Sequence, residues 1–573
     1  MFFKKALAYS LLINLFFLGL CVFWGDLKFG AVDDYFMAAR LTGALGSDYN
    51  PHLIFVNAIY GYVLLPLYHI FPKVGWYYIG EMFSVFLSLT VIGYILLQKC
   101  GERWGAILAT LFTALVASDL YLTVQFTQCA SILSAAGMLL FAYGITSRKR
   151  GDGYPKRSIY IHMLDAAPYI FGIILMLWGS VMRWQAFLMG LPFFCLCLAF
   201  IFRQCWQAKF NVAIGLAVLF TGAFAIHYWD QNLYKALEYE NFNKFQGQRV
   251  ALGDYRNYNQ NAVYEDAEEL GLSGKDFQIL TEWTFYDTQV FSSDSLKRYT
   301  DMEAAYKDNV PKEYIPRQML TTLGNSLHFP PFWVWFVLSL VVFVTNKKKN
   351  LYIYGSLLLV LALMAYLLDM GRLIYRVESG LWLYASILAI PLFKEFALVI
   401  SRKFLYGILG LIAVANICSY ASSGDVIRSP DNGAKRTIVV DDSTDYNQVF
   451  EYIDSQSDKM FLLSMQPFMR FSHHRNPPYF ASPIGQYRRT VSLGYWTPYL
   501  PEVSQSLAEF GIDNPIKDVV HENVIVLSEL NLKDFLQRHY YDSVSVDTLK
   551  KIGSMTFLKY KLVDKASKQG VEQ

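Results

Sequence analysis

Eleven apolar runs dominate this 573-residue chain and leave it few ways to fold. They cover 6–24, 76–97, 105–121, 127–145, 165–181, 185–202, 211–229, 331–345, 351–368, 380–396 and 404–421. A helix needs roughly 20 apolar residues to cross a bilayer. In hydrocarbon, the backbone can satisfy its own hydrogen bonds only as helices or a closed barrel. Long continuous runs, rather than short alternating ones, choose helices. Composition agrees: charged residues make up 17% of the chain, below the quarter or so typical of soluble domains. Forty Tyr and forty-three Phe suit wide interfacial belts. Lys4 and Lys5 lead into the first run, and no small-residue cleavage signal follows it, so it reads as an uncleaved span.

A twelfth stretch, His52 to Phe71, is also long enough to cross, and counting it would invert every later loop. Basic residues settle its placement, because inside loops carry the Lys and Arg. With 52–71 lying flat at the outer interface, the basic clusters all fall on the side of Lys4 and Lys5. These are Lys99 with Arg103, Arg148-Lys149-Arg150, Arg203 with Lys209, Lys347-Lys348-Lys349, and Lys394 with Arg402 and Lys403. The expected architecture is therefore a polytopic α-helical membrane protein of about eleven spans. Its N-terminus is inside, and its C-terminus is outside.

Two polar regions stand on the outer face besides the loop 25–75. The loop 230–330 carries apolar residues at helical spacing in Asp230–Phe245 and Ala262–Leu270, with Ser273 placed to cap a further helix. It reads as a helical cap over the bundle of residues 1–421. The region 422–573 alternates strand and helix patterns: strands at 437–440, 460–464 and 523–527, helices at 446–455, 502–510 and 532–539. That is the pattern of a small extracytoplasmic α/β domain. Its basic tract Arg470–Arg475 and the Arg488-Arg489 pair could meet an anionic glycan or lipid headgroup; an ordinary solvated loop is the plainer reading. The seven cysteines lie in or beside apolar runs, without metal-binding spacing. A net charge of +3 with no basic stripe excludes a nucleic-acid partner.

Chemistry concentrates on that outer face. Asp33 and Asp34 follow the first span, and ionisable groups at a membrane boundary are functional candidates. A carboxylate there can take a proton from a hydroxyl, or the two together can hold a divalent cation, Mg or Mn. Equally, either acid can cap a helix running from Tyr35 to Leu45. Arg183, beside Trp184, and Arg372 with Arg376 break the positive-inside trend. Three arginines on one face suit a phosphate group, which paired N–H donors grip well; anchoring, or pairing with Asp369 and Glu378, is the plainer use. Arg40, His52, His227 and Glu378 complete the candidate substrate-binding set.

The order of these elements resembles the GT-C superfamily of membrane glycosyltransferases, in particular the protein O-mannosyltransferase-like and aminoarabinose-transferase-like enzymes. The residues that carry the resemblance are Asp33-Asp34-Tyr35-Phe36-Met37-Ala38-Ala39-Arg40, then Pro51-His52-Leu53 and the apolar stretch to Phe71, then the spans from Trp76 and Ala106. The pattern covers roughly residues 1–230. The family's His-Pro-Pro is replaced by Pro51-His52-Leu53, and its second acid by Asp34. The chain also looks like clostridial-type polytopic membrane proteins with the same Asp-Asp opening, a likeness that adds no function. What the GT-C resemblance implies is a bacterial membrane enzyme that moves a sugar from a polyprenyl-phosphate donor to a surface glycan or lipid acceptor. Asp33 would be the base, and Asp34 its support or a metal ligand. The alternatives are a polymerase or ligase of lipid-linked glycans, and a non-enzymatic transporter or flippase. The absence of charge in mid-span and of a visible internal repeat speak against the transporter.

Overall fold

The computed structural model describes residues 2–147, 159–251, 268, 272–306, 314–396, 400–422 and 444–563. Each apolar run is helical over all or part of its length. In chain order α1 is Phe2–Trp24, α2 Val32–Leu41, α3 Ala58–Ile70, α4 Trp76–Cys100, α5 Glu102–Ala117, α6 Phe126–Thr146, α7 Ile159–Met182, α8 Trp184–Phe200, α9 the short Phe202–Gln207, α10 Lys209–Leu233 and α11 Glu240–Arg249. Seven helices among the described residues are long and apolar enough to cross a membrane, or eight if the bent pair Tyr314–Ser326 and Pro330–Thr345 forms one span. The chain is thus a multi-pass membrane protein, but length alone does not deliver eleven spans. The 380–396 run shows why. It becomes a 13-residue helix, Tyr375–Ile387, followed by a turn, and nearly all of that helix is buried. A helix apolar all round is a core helix as readily as a span.

The 52–71 stretch yields only α3, 13 residues with Pro66 inside it, well short of a crossing. The basic turns that placed it do share one end of the bundle. There Lys99 reaches Thr146 at the end of α6, Lys349 reaches the Phe200 carbonyl at the end of α8, and Arg103 reaches the Ile400 carbonyl. The Arg148–Arg150 cluster lies outside the described residues.

At the opposite end stand α2, the cap and the C-terminal domain. Short strands β1 (Lys28–Phe29) and β2 (Thr123–Val124) pair in parallel beside the start of α2. In the cap, α11 is followed by the helices Gly274–Thr281, Ser293–Tyr306 and Tyr314–Ser326. Ser273 caps the first of these as expected, in a reciprocal box with Asp276. The helix expected at 262–270 lies almost wholly outside the described residues, as does the strand at 437–440.

The C-terminal domain is α/β. Its five-stranded sheet has the order β4-β3-β5-β7-β6, where β3 is Met460–Leu463, β4 Thr490–Ser492, β5 Val524–Leu527, β6 Val544–Ile552 and β7 Met555–Leu562. β3 pairs in parallel with β4 and β5, and β7 is antiparallel to β5 and β6. The expected helices at 446–455, 502–510 and 532–539 are present within a residue. The basic tract is a helix, Met465–Arg475, rather than a loop, and its cations are used within the domain. Arg470 pairs with Glu529 (3.0 Å), and Arg475 pairs with Asp454 (2.8 Å) while lying over the Phe450 ring. Arg488 pairs with Glu509, and Arg489 donates to the Gln456 carbonyl.

Cap and domain are bolted together through Asp276. Its side chain is fully buried and meets Arg538 and, at 3.1 Å, His539. Burial works against the charged form, yet the hydrogen bonds from His539 and Arg538 outweigh it and hold the carboxyl down to about 2. A carboxyl depressed by folding stabilises above its unfolded value, near 3.9, and loses that contribution as pH falls toward 2. The contribution at neutral pH is roughly 2 kcal/mol. Asp276→Ala is therefore expected to lower stability by about that amount at pH 7 and by much less at pH 2. Thermal unfolding at the two pH values checks it; an equal loss at both would remove the charge from the account.

Candidate active site

The site begins with how α2 starts. Gly30 donates to the Val124 carbonyl (2.7 Å). A Cβ at Gly30 would stand 2.8 Å from the Thr123 carbonyl oxygen, so only glycine lets the two backbones approach. The helix then starts at Val32, with Ala31 in the cap position and no side-chain cap. The capping reading of the acid pair is thereby corrected: neither Asp33 nor Asp34 caps, and the helix runs 32–41 rather than 35–45. Both acids stand in its first turn, where the free N–H groups favour negative charge.

The two carboxyls take different partners. Asp34 is fully buried and accepts from the Tyr77 hydroxyl (3.0 Å) and, weakly, from the Phe126 N–H (3.4 Å). Glu81 of α4, also fully buried, lies beside it, and Asp34 Oδ2 and both Glu81 oxygens have no hydrogen-bond partner among the described residues. Burial, and after it the charge of Asp33, push the Asp34 carboxyl well above the ordinary carboxylate range. Asp33 is turned to the C-terminal domain. Its Oδ1 accepts from the Tyr495 hydroxyl (2.5 Å) and the Trp496 indole N–H (2.9 Å), and Arg376 stands 3.9 Å from Oδ2. Its side chain keeps 14% of its surface exposed. A guanidinium beside one acid and a buried neighbour in contact with Glu81 are a poor ligand set for a cation. No group of three His, Cys, Asp or Glu side chains suited to a metal occurs among the described residues.

Burial opposes charge on Asp34, and Asn matches its shape without a charge. Asp34→Asn is expected to unfold within a few degrees of the parent and to retain more of the parent's activity than Asp33→Asn. Parallel thermal scans and rate measurements on the two variants check this; equal loss of activity would make the pair act as one unit.

Beside Asp33 lies a cavity of about 500 Å³. Its walls come from residues 54–57, the α7–α8 junction, the end of α10 and α11. Arg183, Lys235 and Arg249 line it, together with His227 and one acid, Asp230. Arg183 donates to the Phe55 carbonyl (3.2 Å) and lies over the Phe55 and Phe126 rings. His227 stacks flat on Trp184, ring centres 4.4 Å apart. Arg249 is held by Gln246 and sits over Trp283. Trp496 separates cavity from carboxylate: its indole holds Asp33, its ring packs on Phe55, and its carbonyl accepts from Gln246 (2.7 Å).

Of the expected site residues, Asp33 and Arg376 stand together, and Arg183 and His227 line the cavity on the far side of Trp496. Arg372 is half-buried in the turn between the helices Leu351–Asp369 and Tyr375–Ile387 and does not line the cavity. Three others are taken up by packing. Arg40 is buried against Glu502, Tyr239 and the His52 carbonyl. The His52 ring is held by Asn50 and packed edge-on to Tyr62, Tyr234 and Tyr239, where burial and then the Arg40 charge push its pKa down. Glu378 is buried and accepts from Ser326 and from Trp382 (3.3 Å). Four residues were not singled out from the sequence: Glu81, Arg249, Tyr495 and Trp496. Glu81 carried a signal, an acid inside the apolar run 76–97; it sits in the second turn of α4, near the end of the run and not in mid-span.

No protein-family profile and no curated protein matches the chain. Among solved structures it is similar to ArnT from Cupriavidus metallidurans bound to undecaprenyl phosphate, at 10% identity and a TM-score of 0.40 over 98% of each chain. It is also similar to the same protein in the apo state, at 11% identity and a TM-score of 0.38 over 98% and 97%. Likeness at this level is too low to argue from.

Proposed function

We propose that the chain is a membrane glycosyltransferase that moves a sugar from a polyprenyl-phosphate donor to a hydroxyl of a surface glycan or lipid on the outer face. The observation that carries this reading is Asp33. It is a partly exposed carboxylate with Arg376 beside it, one indole ring away from a cavity lined by three cations. Asp33 accepts the acceptor's proton as the acceptor oxygen bonds to the sugar's anomeric carbon. The bond from that carbon to the phosphate oxygen breaks, and its electron pair leaves with polyprenyl phosphate. One displacement inverts the anomeric centre. Negative charge grows on the departing phosphate, and cations already in place lower the barrier for it. Arg183 and Arg249 are assigned to the donor phosphate in the cavity, and Arg376 to the charge near Asp33. The cavity's position at the bundle end, between α7, α8 and α10, suits a donor whose lipid stays in the membrane.

A charge-assisted hydrogen bond contributes about 1.5–3 kcal/mol. Arg183→Ala and Arg249→Ala should each weaken binding of undecaprenyl phosphate by roughly ten- to a hundredfold. Titration of the purified proteins in detergent micelles tests it. Unchanged affinity in both variants would return these arginines to packing.

A further inference from the structure

The group nearest Asp33 is neither a cation nor the cavity but a phenol from the C-terminal domain. We propose that Tyr495 stands in the acceptor's place: its hydroxyl meets Asp33 as an acceptor hydroxyl would, and the loop 493–499 covers the Oδ1 side of the carboxylate against water until an acceptor displaces it. The proposal rests on Asp33 being the base.

Geometry comes first. A base must lie within hydrogen-bond reach of the proton it takes. On Oδ1 that position belongs to the Tyr495 hydroxyl, at 2.5 Å, with the Trp496 indole alongside at 2.9 Å. The phenol is a hydroxyl on a ring-sized carbon frame, which is also the chemistry of a sugar acceptor. Burial, with the charge of Asp33, keeps the Tyr495 phenol protonated, so it donates and does not compete as a base.

Strain marks the same loop. Tyr495 and Tyr499 have φ of 66° and 62°, and the opposing cap residue Trp283 has 58°. Bulky L-residues in the left-handed region cost on the order of 1–3 kcal/mol each and persist only where the surroundings force them. The one other non-glycine residue with positive φ among those described is Ile54, which lines the cavity. Gly494 is pressed so closely on the cap that a Cβ there would fall 1.6 Å from the Trp283 carbonyl oxygen.

The loop is also tied to the cap. The Leu493 carbonyl accepts from the N–H groups of Phe285 (2.8 Å) and Tyr286 (2.7 Å), and the Tyr286 hydroxyl takes the Tyr499 N–H (3.2 Å). Withdrawal of Tyr495 therefore moves the loop and the cap segment 283–286 as a unit. A water-excluding plug has a clear use: an open base beside a bound donor would deliver the sugar to water.

The first arm of the test needs no knowledge of donor or acceptor. A carbodiimide with an amine probe is applied to the full-length protein and to its Tyr495→Phe and Tyr495→Ala variants, folding is checked by thermal unfolding, and labelling of Asp33 is read by peptide mass spectrometry. Slow labelling in the parent is expected, with a several-fold rise in the variants, larger for Ala. Equal labelling in parent and both folded variants would overturn the plug. A second arm measures the partition of donor between water and acceptor. The share going to water should rise several-fold in Tyr495→Phe. A fall in kcat with no change in that partition would make Tyr495 a positioning residue and overturn the proposal. A parent that consumes no donor would refute the transferase reading, while the labelling would still decide the plug.

Discussion

The Asp33→Asn protein is expected to fold, to bind polyprenyl phosphate, and to transfer sugar more slowly by a factor on the order of 10² to 10⁴, the usual contribution of a positioned general base. Asn keeps the size of Asp33, and its amide oxygen still accepts from Tyr495 and Trp496. What it removes is the proton acceptor and the negative charge beside Arg376. With the side chain partly in contact with solvent, stability should move little. Donor affinity should hold or rise, because Arg376 loses its nearest anion. Initial rates at saturating donor, with thermal scans on the same samples, check the combination. A rate within a few-fold of the parent would make Asp33 a structural acid.

The second large effect concerns stability. Arg40 has no exposed side-chain surface, and Glu502 of the C-terminal domain keeps 12%. The guanidinium also donates to Tyr239 (2.9 Å) and to the His52 carbonyl, so one side chain ties α2, the cap and the domain. Removing one partner of a buried pair strands the other charge and costs about 3–5 kcal/mol, whereas removing both costs far less. Glu502→Ala should accordingly lower the unfolding temperature markedly and speed proteolysis at the domain boundary. Glu502→Leu combined with Arg40→Met should recover much of the loss. A double variant as unstable as the sum of the singles would mean that the pair is not coupled.

These residues show how far the sequence could be read. The membrane character was legible because membrane thickness sets a length that no surface helix needs. The count of eleven was not, since a run such as 380–396 folds as a short buried helix. The domain's helices were legible because apolar periodicity is local. The edge strand β6 is mostly exposed and polar, so it carried no such pattern. Asp33 was legible as an acid pair beside a span. Its partners were not: Tyr495 lies 462 positions away, as does Glu502 from Arg40. In the sequence Arg40 consequently reads as a substrate ligand, whereas the fold buries it against an acid that only tertiary structure brings near. Arg183 and Arg376 were legible because they break the basic-residue trend; Arg249 sits at the end of a polar helix and breaks nothing.

The most direct measurement is release of polyprenyl phosphate by the purified, membrane-reconstituted protein from a panel of polyprenyl-phosphate sugars, with envelope glycans and lipids as acceptors. At least one donor should be consumed by the parent, with inverted linkage in the product, and none at a comparable rate by Asp33→Asn. Consumption of no donor in the panel, or equal consumption by the two proteins, would contradict the assignment of Asp33 and of the reaction.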